Sequence, residues 1–217
     1  MEFASLRDKL DQLDSQTWKA IRKAAKAGNA EAQFLLGYRV NWASFGHRGC
    51  KKWLEAAAAQ DHPEAVRLLA QIDFDPDNFS WGTLVHTEER RALLTRAAEL
   101  GSTGAQRDLA VCYVWGEPPF EQSWIMARYW YREAALRGHQ ESQVVTGSMM
   151  IRGDGGPVCV DEGLSFLEKA ANGPDKDDAM AAADELAFLY SGGFGLAANA
   201  EKAAEWKKRG RRNPKPS

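Results

Sequence analysis

The segment Ala127-Arg128-Tyr129-Trp130-Tyr131-Arg132-Glu133-Ala134-Ala135-Leu136-Arg137-Gly138-His139 decides the fold, because weaker copies of it recur along the chain. Its bulky position falls at Trp53, Leu93, Trp130, Phe166 and Trp206, at steps of 40, 37, 36 and 40 residues. Pairs of small residues follow at Ala57-Ala58, Ala97-Ala98, Ala134-Ala135 and Ala170-Ala171. A second pattern lies between these copies, at Ala32/Leu36/Gly37, Ala65/Leu69/Ala70, Ala105/Leu109/Ala110, Ser142/Thr146/Gly147 and Ala182/Leu186/Ala187. A four-residue step puts both members on one helical face. Small residues let two helices approach closely, and one bulky residue fills the hole they leave. Gly28, Gly101 and Gly138 stand where a helix must stop and supply the left-handed residue that ends it. The pattern predicts helix hairpins too small to bury their apolar faces alone, which therefore stack on their neighbours. The expected fold class is all-α, an α/α superhelix: a right-handed solenoid of about five helix-hairpin repeats with an N-terminal capping helix.

The periodicity sets the organisation. One domain is expected over 1–210, with cap helices in 1–29, repeats at 30–61, 62–101, 102–138, 139–174 and 175–210, and a basic tail at 211–217. Phe3, Leu6, Leu10 and Leu13 step by three and four, which predicts an amphipathic helix covering the open end of the array. Asp14 or Ser15 caps the next helix, which carries Trp18 and Ile21. The far end, Lys207–Ser217, holds six basic and no acidic residues. A solvated tail is the plainer reading of such a run, and an electrostatic contact to RNA or an acidic protein is the other.

Composition narrows the classes. The chain has 217 residues, 28 basic against 30 acidic, with 44% hydrophobic residues and eight Trp. That length suits a single domain or array, and the near balance lacks the global basic excess of a dedicated nucleic-acid binder. Near-neutrality is an average of unlike parts, since residues 1–206 carry 22 basic and 30 acidic groups for a net −8 and the tail restores +6. The longest apolar run, Leu109–Trp115, is seven residues, well short of the roughly 18–20 that cross a bilayer. The opening residues lack the apolar core of a secretory signal. Cys50, Cys112 and Cys159 are an odd number with no close pair, which argues against a disulfide framework. A cytoplasmic location and no membrane contact are the expectation.

The combined pattern resembles the Sel-one-like repeat family, relatives of tetratricopeptide repeats. The last copy carries it through Ala182, Leu186, Tyr190, Gly193, Gly195, Asn199, Ala203 and Trp206. The third does so through Ala105, Leu109, Tyr113, Gly116, Ala127, Trp130, Tyr131, Ala134, Ala135 and Gly138, and the fourth through Gly147, Gly153, Gly155, Val158, Asp161, Lys169, Ala170 and Ala171. The resemblance implies protein binding: adaptors in bacterial signalling or virulence, and small members that act as immunity proteins neutralising a cognate toxin. The expected partner is another protein, such as a cognate toxin, bound by a monomer, with nucleic acid not expected. A hydrolytic activity ascribed to relatives with paired cysteines in each repeat does not carry over, because those pairs are missing here.

Departures from the pattern mark candidate binding residues. The first three repeats replace the glycine turn between their helices with aromatic segments: Trp42 and Phe45; Phe74, Phe79 and Trp81; Trp115, Phe120 and Trp124. Such side chains are favoured binding anchors, and the competing account is that they merely fill space. If Ala and Leu of the first helices point inward, the groove is lined by Phe34, Leu35, Tyr38, Arg67, Gln71, Arg107, Asp108, Ser148, Glu185 and Phe188. This mixture suits a protein better than a metabolite. The run Asp73-Phe74-Asp75-Pro76-Asp77-Asn78 starts like a calcium loop and then fails, with Asn78 at the turn glycine and Leu84 at the closing Glu. Gly153-Asp154-Gly155-Gly156 has no Gly-Lys-Ser/Thr after it and is not a phosphate loop. His62 and His139 share a repeat position just past a helix end, where capping accounts for them; His47 and His86 lie near loop-to-helix junctions. No cofactor, metal or catalytic residue is expected. A hydrolase assembled from dispersed groove residues and an RNA-contacting accessory protein using the tail are the alternatives from other classes.

Overall fold

The computed structural model describes the backbone of residues 13–43, 47–71, 87–116 and 118–211, and the side chains of the same residues except 39–50 and 211. The described residues form eleven α-helices and no strand: α1 (Ser15–Lys26), α2 (Ala30–Ala43), α3 (His47–Ala58), α4 (Pro63–Gln71), α5 (Glu88–Glu99), α6 (Thr103–Trp115), α7 (Trp124–Leu136), α8 (Gln140–Arg152), α9 (Val160–Ala171), α10 (Lys176–Tyr190) and α11 (Ala200–Arg211). The fold is a helical repeat of the all-α class. The expected capping helix at Phe3–Leu13 and the calcium-like stretch at 73–78 lie outside the described residues, apart from Leu13 itself. Backbone contacts divide the chain into two compact units, Met1–Ala105 and Gln106–Ser217. In the first, α1 packs on α2, α2 on α3, α3 on α4 and α4 on α5, and α2 also meets α4. In the second, α7 packs on α8, α8 on α9, α9 on α10 and α10 on α11, and α8 also meets α10.

One junction, repeated, joins each hairpin to the next. At the end of α1, Gly28 N–H donates to the Ala25 carbonyl and Asn29 N–H to Ala24; at the end of α7, Gly138 N–H donates to Ala135 and His139 N–H to Ala134. Gly101 and Ser102 repeat this on Ala98 and Ala97. The left-handed backbone that such an ending needs is present at Gly28 (φ 96°), Gly101 (φ 93°) and Gly138 (φ 90°). After α3, Asp61 takes the glycine's place at φ 57°. Its carboxylate accepts from Arg96, which also donates to the terminal Ala58 carbonyl of α3.

The residue after each junction then caps the next helix. Asn29 Oδ1 accepts from Ala32 N–H at 2.9 Å, His62 Nδ1 from Ala65 at 3.2 Å, Ser102 Oγ from Ala105 at 3.1 Å and His139 Nδ1 from Ser142 at 3.3 Å. Asp175 caps α10 by accepting from Asp177 and Asp178. Because Nδ1 of His62 accepts, Nε2 carries the proton and donates to Glu31 at 2.9 Å. Both histidines therefore act as caps, as their shared repeat position predicts.

Between the helices, small residues set the spacing. Ala57, Ala97, Ala134 and Ala170 are fully buried, as are Ala32, Ala65, Ala105, Ser142 and Ala182. The bulky positions Trp130, Phe166 and Trp206 are buried against them. The closest crossing is between α8 and α9. A Cβ on Gly147 would lie 2.7 Å from the Gly163 carbonyl oxygen, and one on Gly163 would lie 2.8 Å from that of Gly147. Loop 153–158 is held just as tightly: a Cβ on Gly155 would run into the Trp124 carbonyl, and Arg128 reaches from α7 to the Pro157 carbonyl at 2.8 Å. Gly147→Ala must push α8 off α9 and is expected to cost about 1–3 kcal/mol, with Gly163→Ala similar; thermal melts that match wild type for both would refute this close-packed crossing. Arg128→Ala is expected to destabilise by about 1–3 kcal/mol, since it removes the charged donor of the loop's part-buried hydrogen bond to the Pro157 carbonyl; a chemical-denaturation midpoint measures it.

Candidate interaction surface

In the first unit the expected groove residues separate. Phe34 and Leu35 are buried rather than groove-facing: the Phe34 ring stacks on His62 with centroids 4.6 Å apart, and Leu35 is wholly enclosed. The reason is that α1, α3 and α4 all pack against α2, so residues Ala32–Gly37 are covered on every side. Tyr38 is half-buried and tilted against Phe34. Arg67 is half-buried and paired to Glu64 at 2.8 Å, and Gln71 is exposed. Trp42 lies within α2, but its side chain, Phe45, Phe74, Phe79 and Trp81 are outside the described residues.

In the second unit the expected residues form a charged face with aromatic ends. Arg107 binds Glu141 through Nε at 3.1 Å and Nη2 at 3.0 Å, and reaches Asp108 at 3.3 Å. The hydrogen bonds to Glu141, followed by its charge and that of Asp108, raise the proton affinity of Arg107, against a smaller opposing effect of burial. Burial first, then the charges of Asp175 and Glu141, push the Asp178 carboxyl above the ordinary range. Asp184 is exposed and Glu185 half-buried, with Glu185 accepting from the buried Ser148 hydroxyl at 3.2 Å. Beyond them Phe188 stands exposed, edge-on to Phe194 with centroids 5.5 Å apart. Phe194 has a left-handed backbone (φ 52°, ψ 29°), and the Arg152 guanidinium lies 6.0 Å from its ring centre. Neither Phe194 nor Arg152 stood out in the sequence. The first looks like a filler between turn glycines, and its exposure follows from a backbone conformation that sequence pattern does not report.

The loop aromatics sort by burial. Phe120 is buried edge-on against Tyr113 at 5.2 Å, so it fills space. Trp115 is 74% exposed at the end of α6, and Trp124 is 47% exposed at the start of α7. The turn between them is fixed by Ser123 N–H donating to the Tyr113 carbonyl at 2.9 Å and the Gln122 side chain donating to Val114 at 2.9 Å. Ser123 also caps α7. Both tryptophans are thus presented from ordered helix ends. Among the described residues no group of three or more His, Cys, Asp or Glu side chains is placed to hold a metal ion, and no helix is long and apolar enough to cross a membrane. Cys112 and Cys159 are thiols.

The crowding of carboxylates on this face is testable. Glu141→Gln removes one negative neighbour from Asp178, so the Asp178 midpoint is expected to fall towards the ordinary carboxylate value. A side-chain carboxyl titration by NMR reads it, and an unmoved or higher midpoint contradicts the shared field.

Comparison with known proteins agrees with this architecture. The Sel1 repeat family model matches residues 30–45, 47–62, 103–139 and 181–209. The hairpins α4/α5 and α8/α9 fall outside those matches. The chitin synthase regulatory factor 3 of Schizosaccharomyces pombe is 30% identical over 200 residues, covering 85% of this chain; this chain spans only 20% of that protein's length. The Sel1-repeat-containing protein YjcO of Escherichia coli K12 is 24% identical over 197 residues, covering 90% of this chain and 67% of the relative. Among solved structures, a protective antigen of uropathogenic Escherichia coli displaying an SLR fold superposes with a TM-score of 0.72 at 23% identity, covering 90% of this chain and 40% of the antigen. A Sel1 repeat protein from Oxalobacter formigenes superposes with a TM-score of 0.71 at 23% identity, covering 91% of this chain and 78% of that one. These structures share the fold. Sel1 repeats generally serve as protein-interaction modules. With its hairpins, its repeated capped junctions and its four matched segments, the chain carries Sel1 repeats on the fold of its structural neighbours.

Proposed function

We propose that this chain is a non-enzymatic protein-binding module, and that its specific role is that of an immunity protein neutralising a cognate toxic protein. The observation that carries the binding reading is the exposure of Trp115 and Trp124 at fixed helix ends, with Phe188 and Phe194 exposed elsewhere in the same unit. Indole and phenyl rings held in place in water bury a large area on contact at little entropic cost. The carboxylates of Asp108, Glu141, Asp178 and Glu185 supply a face that steers a basic partner. The net −8 of residues 1–206 acts in the same direction. A relative that is a regulatory factor of a synthase agrees with a role exercised on another protein. A cytoplasmic adaptor of signalling or virulence is the other form of the same reading.

The test has two stages. Affinity purification from the native host followed by mass spectrometry identifies the partner. Trp115→Ala and Trp124→Ala are each expected to weaken that complex by about 2 kcal/mol, some 30-fold in Kd, with an unchanged thermal melt. Full retention by both variants removes the tryptophans from the interface. Co-expression with a toxic neighbouring reading frame then separates the two forms. Restored growth that depends on Trp115 or Trp124 supports the immunity role, and co-purification without protection leaves an adaptor.

A further inference from the structure

The outward face of α7 differs from those of α5, α9 and α11, the second helices of other repeats. Ile125 is 70% exposed, Tyr129 51% and Leu136 54%. Steps of four and seven residues place all three on one side of the helix. Aligning the bulky positions Leu93, Trp130, Phe166 and Trp206 gives Glu88, Ala92 and Glu99 as the equivalents on α5, Asp161, Ser165 and Asn172 around α9, and Glu201 and Glu205 on α11. The repeat itself therefore asks for polar or small residues here, and packing within the repeat does not explain the apolar ones. Tyr129 is already held edge-on to Trp130, with centroids 4.9 Å apart. Arg132 lies between Tyr129 and Leu136 in sequence on the same side of the helix, with its guanidinium paired to Glu162 of α9 at 2.7 Å.

Charge selects the occupant. Asp161, Glu162 and Glu168 of α9 are exposed on the neighbouring helix, and Glu121 is exposed just before α7 begins. The basic groups on the same side are Arg132, paired to Glu162, Arg137, 3.7 Å from Glu133, and the exposed Lys169 of α9, whose ammonium lies 5.5 Å from the Phe166 ring centre. An apolar stripe with carboxylates along its edge complements a helix whose apolar stripe is flanked by Lys or Arg. The same carboxylates repel an anionic lipid surface.

We propose that the outer face of α7, with Ile125, Tyr129 and Leu136 as its apolar contacts, is a docking site for a basic amphipathic helix of a partner protein, separate from the tryptophans at the ends of α6 and α7. The test uses a dye-labelled peptide of about 18 residues, long enough for a helical face, with Leu along one face and Lys on both flanks. A second peptide carries Glu in place of Lys. Fluorescence anisotropy is expected to show binding of the Lys peptide only. The affinity is expected to fall by about tenfold or more in Ile125→Asp/Leu136→Asp and in Asp161→Lys/Glu168→Lys, and to be unchanged in Phe188→Ala. The charge-reversal variant leaves α7 intact, so it carries the test if the first variant melts early. Absent binding, equal binding by all variants, or equal binding of the Glu peptide overturns the proposal. So does sedimentation of the wild type as a dimer that Ile125→Asp/Leu136→Asp dissolves, because a second copy would then own the face.

Discussion

Close approach of backbones is the constraint on which the rest of this structure depends. Where α8 crosses α9, two glycines face each other and neither has room for a Cβ. Along the repeats, buried alanines do the same work more loosely. Beside these small residues the second helices bury one recurring large ring, at Trp130, Phe166 and Trp206. The repeat is therefore a statement about distance first and hydrophobicity second. It also explains why α2, with neighbours on three sides, buries even a phenylalanine at a position that a simple two-faced helix would turn to solvent.

Polar groups are spent mainly on chain direction. Four of the turns from a second helix to the next first helix combine a left-handed residue with a side-chain cap from Asn29, His62, Ser102 or His139, and the turn from α9 to α10 keeps the cap alone, in Asp175. What these residues share is one short acceptor at the right distance from the third N–H of the next helix. Chemistry that might have read as catalytic in His62 and His139 is thereby absorbed into the backbone.

Much of the fold was legible because spacing is what the fold needs. The alanine pairs, the bulky position and Gly28, Gly101 and Gly138 all lie in sequence register with the structural role they play. Asp61 broke the pattern and was not foreseen as a left-handed residue, because its side chain is retained by Arg96, a residue distant in sequence. The candidate surface was less legible. Trp115 and Trp124 read the same as Phe120 in the sequence, yet Phe120 finds Tyr113 and the tryptophans find nothing comparable. Burial of an aromatic depends on where a loop folds back, and periodicity is silent on that. Gly163 and Phe194 were likewise invisible, since one is defined by its opposite number on another helix and the other by its own backbone angles.

After α3 the connections are of two kinds that differ in slack. From α3 to α4, α5 to α6, α7 to α8 and α9 to α10 only three or four residues intervene, all engaged in the capped junction. Between α4 and α5, α6 and α7, α8 and α9, and α10 and α11 the intervals are longer and unequal. Insertions and deletions that would shear the stack at the first kind of connection are absorbed at the second. Those longer loops are where contact residues can change while the spacing of the helices is kept.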